Sequence, residues 1–221
     1  MTALRAGQGP TLPALLRERF GIPPLVTLAV AVALCAAAVF VVVSRLTQPP
    51  APGKQIVHEG APVFNLLYPP ERMRCARPGA CELMRLQGRR GKLTAEVVVR
   101  PLELPPYDGD VTHGLLPTRA DHFVEAQRAI TPGFEFVSEG RARVNNAVGY
   151  EIGFRALRAE SRLYGRDVLL VPDDPEEGRG SVLLSLRQRK AGGEKLTPPE
   201  RKLAFTSRKA YRSFRFGSER G

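Results

Sequence analysis

Val148-Gly-Tyr-Glu-Ile-Gly-Phe-Arg-Ala156 alternates apolar residues with small or charged ones and never breaks the period. In a strand successive side chains leave on opposite faces, so Val148, Tyr150, Ile152, Phe154 and Ala156 share one side. The stretch therefore reads as a β-strand. Its neighbours decide what kind of sheet it belongs to. Upstream, Phe134 and Phe136 alternate in the same way, and Asn145-Asn146 supplies a tight turn between the two runs. Downstream, Leu163 to Val171 and Ser181 to Gln188 read as another strand pair, joined by the acidic loop Pro172-Asp-Asp-Pro-Glu-Glu-Gly178.

Earlier in the chain, Val63 to Tyr68 is a strand stopped by Pro69-Pro70, and Cys81 to Gln87 with Leu93 to Arg100 flank Gly88-Arg-Arg-Gly91 as a hairpin. Pro101 cannot donate to a ladder, which weakens the second strand there. Two segments change period. Leu116, Ala120, Phe123, Val124 and Ile130 fall on one helical face, capped by Thr118 or Thr112 and ended by Thr131-Pro132-Gly133. Thr197-Pro-Pro-Glu200 has a capping hydroxyl, proline at the first helical position and glutamate three residues after the cap. In the helix it opens, Leu203, Ala210 and Phe214 share a face, with Ala204 and Tyr211 at its edge. Short antiparallel connections with two helices left over predict an α+β fold, an antiparallel sheet with helices packed on its faces.

The N-terminal region is different. Leu25–Val43 holds nineteen uncharged residues, all apolar but Thr27. As a helix they cover about 28 Å, close to the ~30 Å of a bilayer core. Cleavage at Ala36-Ala37-Ala38 would leave an apolar new terminus, and Leu34 before Cys35 spoils a lipoprotein signal. The expectation is one transmembrane helix. Arg5, Arg17 and Arg19 place its N-terminal side in the cytoplasm. The expected organisation is a cytoplasmic tail (1–24), a membrane helix (25–44), a proline-rich tether (45–56), an exported domain (57–216) and a short tail (217–221). The expected location is the cell membrane, single-pass, with the C-terminal domain extracytoplasmic.

The net charge of +11 is not spread evenly. Eleven basic residues against three acidic ones lie from Arg187 onward. For an exported domain this argues against nucleic acid and for anionic lipid or an envelope protein as partner. On the last helix Arg201, Lys202, Arg208, Lys209, Arg212 and Arg215 occupy the half opposite the apolar face, with Phe205 among them. An aromatic flanked by cations suits an acidic groove or surface, so Arg201, Phe205, Arg208, Lys209 and Arg212 are the candidate contact residues. Cys75 and Cys81 bracket the turn Arg77-Pro-Gly-Ala80 and are the candidates for a disulfide in an oxidising compartment.

The opening Phe64-Asn-Leu-Leu-Tyr-Pro69 strand, the mid-domain helix, the strand meander and the closing helix ending Tyr211-Arg-Ser-Phe214 resemble the PsbP/Mog-type sandwich. Exported actinobacterial proteins with a single N-terminal anchor can carry such domains. The resemblance spans about residues 57–216 and implies an α/β/α sandwich acting as a non-enzymatic binding or assembly module. It brings no site residue with it.

Catalytic chemistry is not legible. Gly88-Arg-Arg-Gly91-Lys92-Leu93 lacks the spacing and hydroxyl of a phosphate loop. His113 follows Asp108 and Asp110, but cap and loop roles account for them better than a metal. Asp173, Asp174, Glu176 and Glu177 lack the pattern of a calcium loop. Ser161, Ser181 and Ser185 have no histidine nearby in sequence. No enzyme, metal or cofactor is expected. The expected function is binding or scaffolding of a cell-envelope component; the alternative is an enzyme or ligand sensor with a pocket between sheet and helices.

Overall fold

The computed structural model of the chain describes residues 53–158, 160–173, 180–192 and 195–218. In chain order the strands are β1 (Lys54–His58), β2 (Phe64–Tyr68), β3 (Arg74–Ala76), β4 (Met84–Arg90), β5 (Leu93–Leu102), β6 (Phe134–Val144), β7 (Ala147–Arg158), β8 (Ser161–Val171), β9 (Ser181–Ala191) and β10 (Arg215–Phe216). The helices are α1 (Leu116–Ile130) and α2 (Pro198–Arg212). The alternating stretch around Ile152 is β7, paired to β6 and β8 along its whole length. Seven strands form one antiparallel sheet in the order β3-β4-β5-β9-β8-β7-β6, and β1-β2-β10 form a second.

Period two puts different chemistry on the two faces of the large sheet. On one side Leu86, Ala95, Val97, Val99, Val168, Leu170, Leu184 and Leu186 pack against Leu203, Ala210 and Tyr211 of α2, against Phe214 just past its end and against Phe64, Leu66 and Tyr68 of the small sheet. On the other side Ile152, Leu169 and Leu183 pack under Leu116, Ala120 and Val124 of α1. The expected antiparallel sheet with helices on its faces is present. Ile130, placed by its spacing on the buried stripe of α1, is 72% exposed because it ends the helix beyond the sheet residues that the stripe covers.

Several expectations are corrected. Leu25–Val43 lies outside the described residues, as do the tail 1–24 and most of the tether. Among the described residues no helix is long and apolar enough to cross a membrane. The single-pass topology, its orientation and the membrane location expected from that stretch therefore find no support in the structure. β1 begins at Lys54, inside the span assigned to the tether, because Lys54–His58 pair with β2. Neither Thr112 nor Thr118 caps α1. α1 has no side-chain cap of its own; Asp110 caps the π-helical turn Val111–Leu115 that runs into it, accepting from the backbone N–H groups of Thr112 (2.8 Å) and His113 (3.1 Å). β5 does not weaken at Pro101, since β4 has already ended and Pro101 needs to pair only with β9.

Gly88 fixes how close α2 can come. A Cβ there would lie 2.5 Å from the Arg72 carbonyl oxygen and 2.7 Å from Leu203 Cδ1. Gly88→Ala is expected to lower stability by roughly 1–3 kcal/mol, as overpacking does, read as a lower urea midpoint with an unchanged slope.

Candidate binding surface

α2 is held by polar pins as well as by its apolar face. Thr197 begins it, and Glu200 accepts from the Thr197 backbone N–H at 2.8 Å, as its spacing predicts. The same carboxylate accepts from the Lys92 N–H at 3.0 Å and from Lys190 Nζ at 2.7 Å. One turn on, Gln188 Nε2 donates to the Ala204 carbonyl and to Ser207 Oγ, both at 2.8 Å, and Arg72 donates to Thr206. At the far end, Asn145 Nδ2 donates to the carbonyls of Arg212 (2.9 Å) and Phe214 (2.7 Å). The β6–β7 turn thus clamps the end of the helix.

This anchoring decides which residues point outward. Arg201, Phe205, Arg208, Lys209 and Arg212 are all exposed. Phe205 is 60% exposed, and Lys209 Nζ lies 4.8 Å from its ring centroid. Arg208 lies 5.6 Å from the ring centroid of Tyr164 on β8. Each aromatic face therefore carries a cation, an arrangement favoured by the ring quadrupole. Tyr164 was not among the residues singled out from the sequence. Its signal is the alternation of β8, which puts Tyr164, Arg166, Val168 and Leu170 on the side facing α2.

The opposite face is only partly roofed. Beyond the end of α1 it opens as a cleft of about 520 Å³ whose floor includes Thr94, Glu96, Phe154, Leu163, Arg187 and Arg189. Arg187 reaches both oxygens of fully buried Asp167, at 2.5 and 2.8 Å, and stacks its guanidinium 4.8 Å from the Phe154 centroid. Phe154 in turn lies over Gly165, where a Cβ would meet its ring at 2.3 Å. Further along, Glu96 accepts from Arg85 and Gln87, and Glu82 accepts from Arg85 and Arg100. The Arg85 guanidinium hydrogen-bonded to Glu82 is the main reason that carboxyl titrates at about 2. These charges satisfy one another, and no histidine or cysteine lines the cleft.

Cys75 and Cys81 are both free and exposed, so the bridge expected across Arg77–Ala80 is not formed. Cys75 lies on β3 opposite Leu86, while Cys81 sits in the following turn at φ 60°. Asp110 is engaged by its own neighbours. Its carboxyl is held at about 2, first by the Thr112 hydroxyl and then by His113. His113 Nδ1 donates to Asp110 at 2.7 Å and Nε2 accepts from Arg141 at 2.6 Å. Among the described residues no group of three or more His, Cys, Asp or Glu is placed to hold a metal. Residues 174–179 of the acidic loop lie outside the described residues.

No family model matches the chain, and no curated protein is similar to it. Solved structures are similar in fold. Cyanobacterial PsbP (CyanoP) from Synechocystis sp. PCC 6803 is 12% identical with a TM-score of 0.48, covering 77% of this chain and 95% of that one. LpqN of Mycobacterium tuberculosis, described as involved in cell envelope biogenesis, is 12% identical with a TM-score of 0.47, covering 75% and 91%. The Saccharomyces cerevisiae Ran-binding protein Mog1p is 10% identical with a TM-score of 0.40, covering 74% and 95%. At these identities and TM-scores the likeness transfers neither a site nor a role.

Two expected outcomes follow from this geometry. Ellman titration of the native unit Ala51–Gly221 should count two reactive thiols; a count of zero that rises to two on reduction would show a bridge. Glu200 titrates at about 2 rather than 4.5, lowered first by the Lys190 ammonium and then by the Thr197 N–H. Its contribution to stability is complete above pH 4.5 and is lost as the pH falls toward 2. Glu200→Gln should therefore destabilise at pH 7 and flatten the fall in urea midpoint across that window; equal slopes for both proteins would refute this.

Proposed function

We propose that the domain is a non-catalytic binding module that docks through the outer face of α2 on an acidic partner surface. One observation carries this reading: Phe205 stands 60% exposed on a helix fixed at both ends, with Lys209 over its ring. Arg201, Arg208 and Arg212 surround it on the same exposed half. A large aromatic is normally buried, and here it is held out in water by a helix whose other face is fully used in the core. Aromatic and arginine side chains are the types enriched at binding interfaces. In the cleft on the opposite face, Arg187 is paired with Asp167 and Glu96 with Arg85.

The test uses the compact unit Ala51–Gly221, which contains the whole described core, and polyglutamate-coated beads as the probe. Retention should be strong at low salt and fall steeply as salt rises. Arg201→Glu with Lys209→Glu should abolish most of it. Arg128→Glu with Arg155→Glu makes the same charge change elsewhere on the surface and should have a much smaller effect. Phe205→Ala should weaken retention at a salt concentration where the charges are already screened. Equal losses from both double variants would reduce the α2 face to ordinary solvated charge.

A further inference from the structure

A second feature of α2 lies at its flank and uses different chemistry. β8 sends Tyr164 and Arg166 toward the helix, and α2 sends Arg208, Tyr211 and Arg212 toward the strand. Between them is a crevice of about 60 Å³, closed at the base by Leu186. Two polar atoms in the groups lining it have no hydrogen-bond partner, Tyr211 Oη and Arg166 Nε. Tyr211 is only 2% exposed, so its hydroxyl is shielded from bulk water by the groups that line the crevice. Burial pushes that hydroxyl well above its usual titration range, which keeps it a donor. A native fold rarely leaves a buried donor unmet unless something occupies the space beside it.

The charges say what. Arg166, Arg208 and Arg212 line the crevice; among the described residues the carboxylate paired with them is Glu151, 3.3 Å from Arg166 Nη1, while Asp167 is spent on Arg187. Three cations against one anion leave an excess of two positive charges around a space with unmet donors. The volume is about that of two waters, each taking ~30 Å³ in the liquid, so it excludes a sugar or a nucleoside and admits one compact group. We infer that this crevice is a binding site for a single oxyanion of the phosphate class, hydrogen-bonded by Tyr211 Oη, Arg166 Nε and the guanidinium groups of Arg208 and Arg212. Arg208 and Arg212 are exposed, so the site opens at the flank of α2 and accepts either a free ion or a phosphomonoester on a larger molecule. It shares Arg208 and Arg212 with the docking surface, but Arg201, Phe205 and Lys209 take no part in it.

The experiment is calorimetric titration and thermal unfolding of the unit Ala51–Gly221 with inorganic phosphate, O-phosphoserine and chloride at matched ionic strength. Phosphate should bind saturably and raise Tm with concentration, while chloride does neither. Binding of phosphate alone assigns the site to the free ion, and binding of both assigns it to phosphomonoesters as well. Tyr211→Phe is the decisive variant. It removes an unpaired hydroxyl, so the ligand-free protein should be as stable as the parent or more so, yet phosphate affinity should fall about ten-fold or more. Arg208→Gln, at the exposed rim, should lower affinity without touching the core. Arg201→Glu with Lys209→Glu should leave phosphate binding intact even where it abolishes retention on polyglutamate. Equal responses to phosphate and chloride would overturn the proposal. So would a Tyr211→Phe protein that is less stable and binds phosphate unchanged, which would mean the crevice holds only structural water.

Discussion

The Glu200 carboxylate is where three separately built parts of the molecule meet. It receives the N–H of Thr197, the cap residue of α2, the backbone of the β4–β5 turn at Lys92 and the ammonium of Lys190 on β9. A carboxylate that is only 2% exposed is tolerated because all of these donors converge on it. The same contacts tell α2 where to start and at which end of the sheet to lie. The burial of Leu203, Ala210 and Phe214 follows from that placement, and so does the outward direction of Phe205. Apolar packing alone would allow the helix to slide or rotate by a residue; a set of directional bonds at its first turn does not.

The two faces of the large sheet solve the problem of cover differently. One has α2 and a second sheet over it and reads as an apolar core. The other has α1 over Ile152, Leu169 and Leu183, and the uncovered remainder mixes Phe154 and Leu163 with charged side chains. There Asp167 is buried beneath Arg187, and Glu82 and Glu96 beneath Arg85, Arg100 and Gln87. Side chains do the work of a missing helix. Their aliphatic stems shield the strands while their heads pair with one another at the edge of the solvent. The arrangement leaves an open cleft with no unspent charge on its Asp167–Arg187 floor.

Much of this was legible in the sequence because it depends on local rules. The period-two run from Val148 to Ala156, the Asn145-Asn146 turn and the Thr197–Glu200 cap each specify an element without reference to the rest of the chain. What was not legible depends on partners far away in sequence. β1 and β10 are short and become strands only because β2 lies between them. Lys54–His58 looks like a tether until Phe64–Tyr68 pairs with it. The spacing of Cys75 and Cys81 allowed a bridge, yet Cys75 lies on β3 and Cys81 in the turn after it with both thiols free. The apolar length of Leu25–Val43 gave a membrane span that no described helix supports. At the candidate surface, the exposed strip of α2 was readable from helical spacing. Its neighbours Tyr164 and Arg166 were not, because which face of β8 meets α2 is a tertiary fact.

β2 has a kinetic consequence. Its two partners are the first and the last described strands, and Asn65 donates its side-chain amide to the carbonyl of Gly217, 152 positions away. Ser213 at the end of α2 also bonds to both backbone groups of Leu67. A strand secured from the far end of the chain cannot be completed during synthesis until that end has left the ribosome. Until then Phe64, Leu66 and Tyr68 lack the cover of Leu203, Ala210 and Phe214. The large sheet and α1 can form from neighbouring segments, but the small sheet must close last and over the longest loop in the molecule, which is the slow, entropy-limited kind of step. Truncation of the last twenty residues would thus expose the beginning of the domain as well as its end.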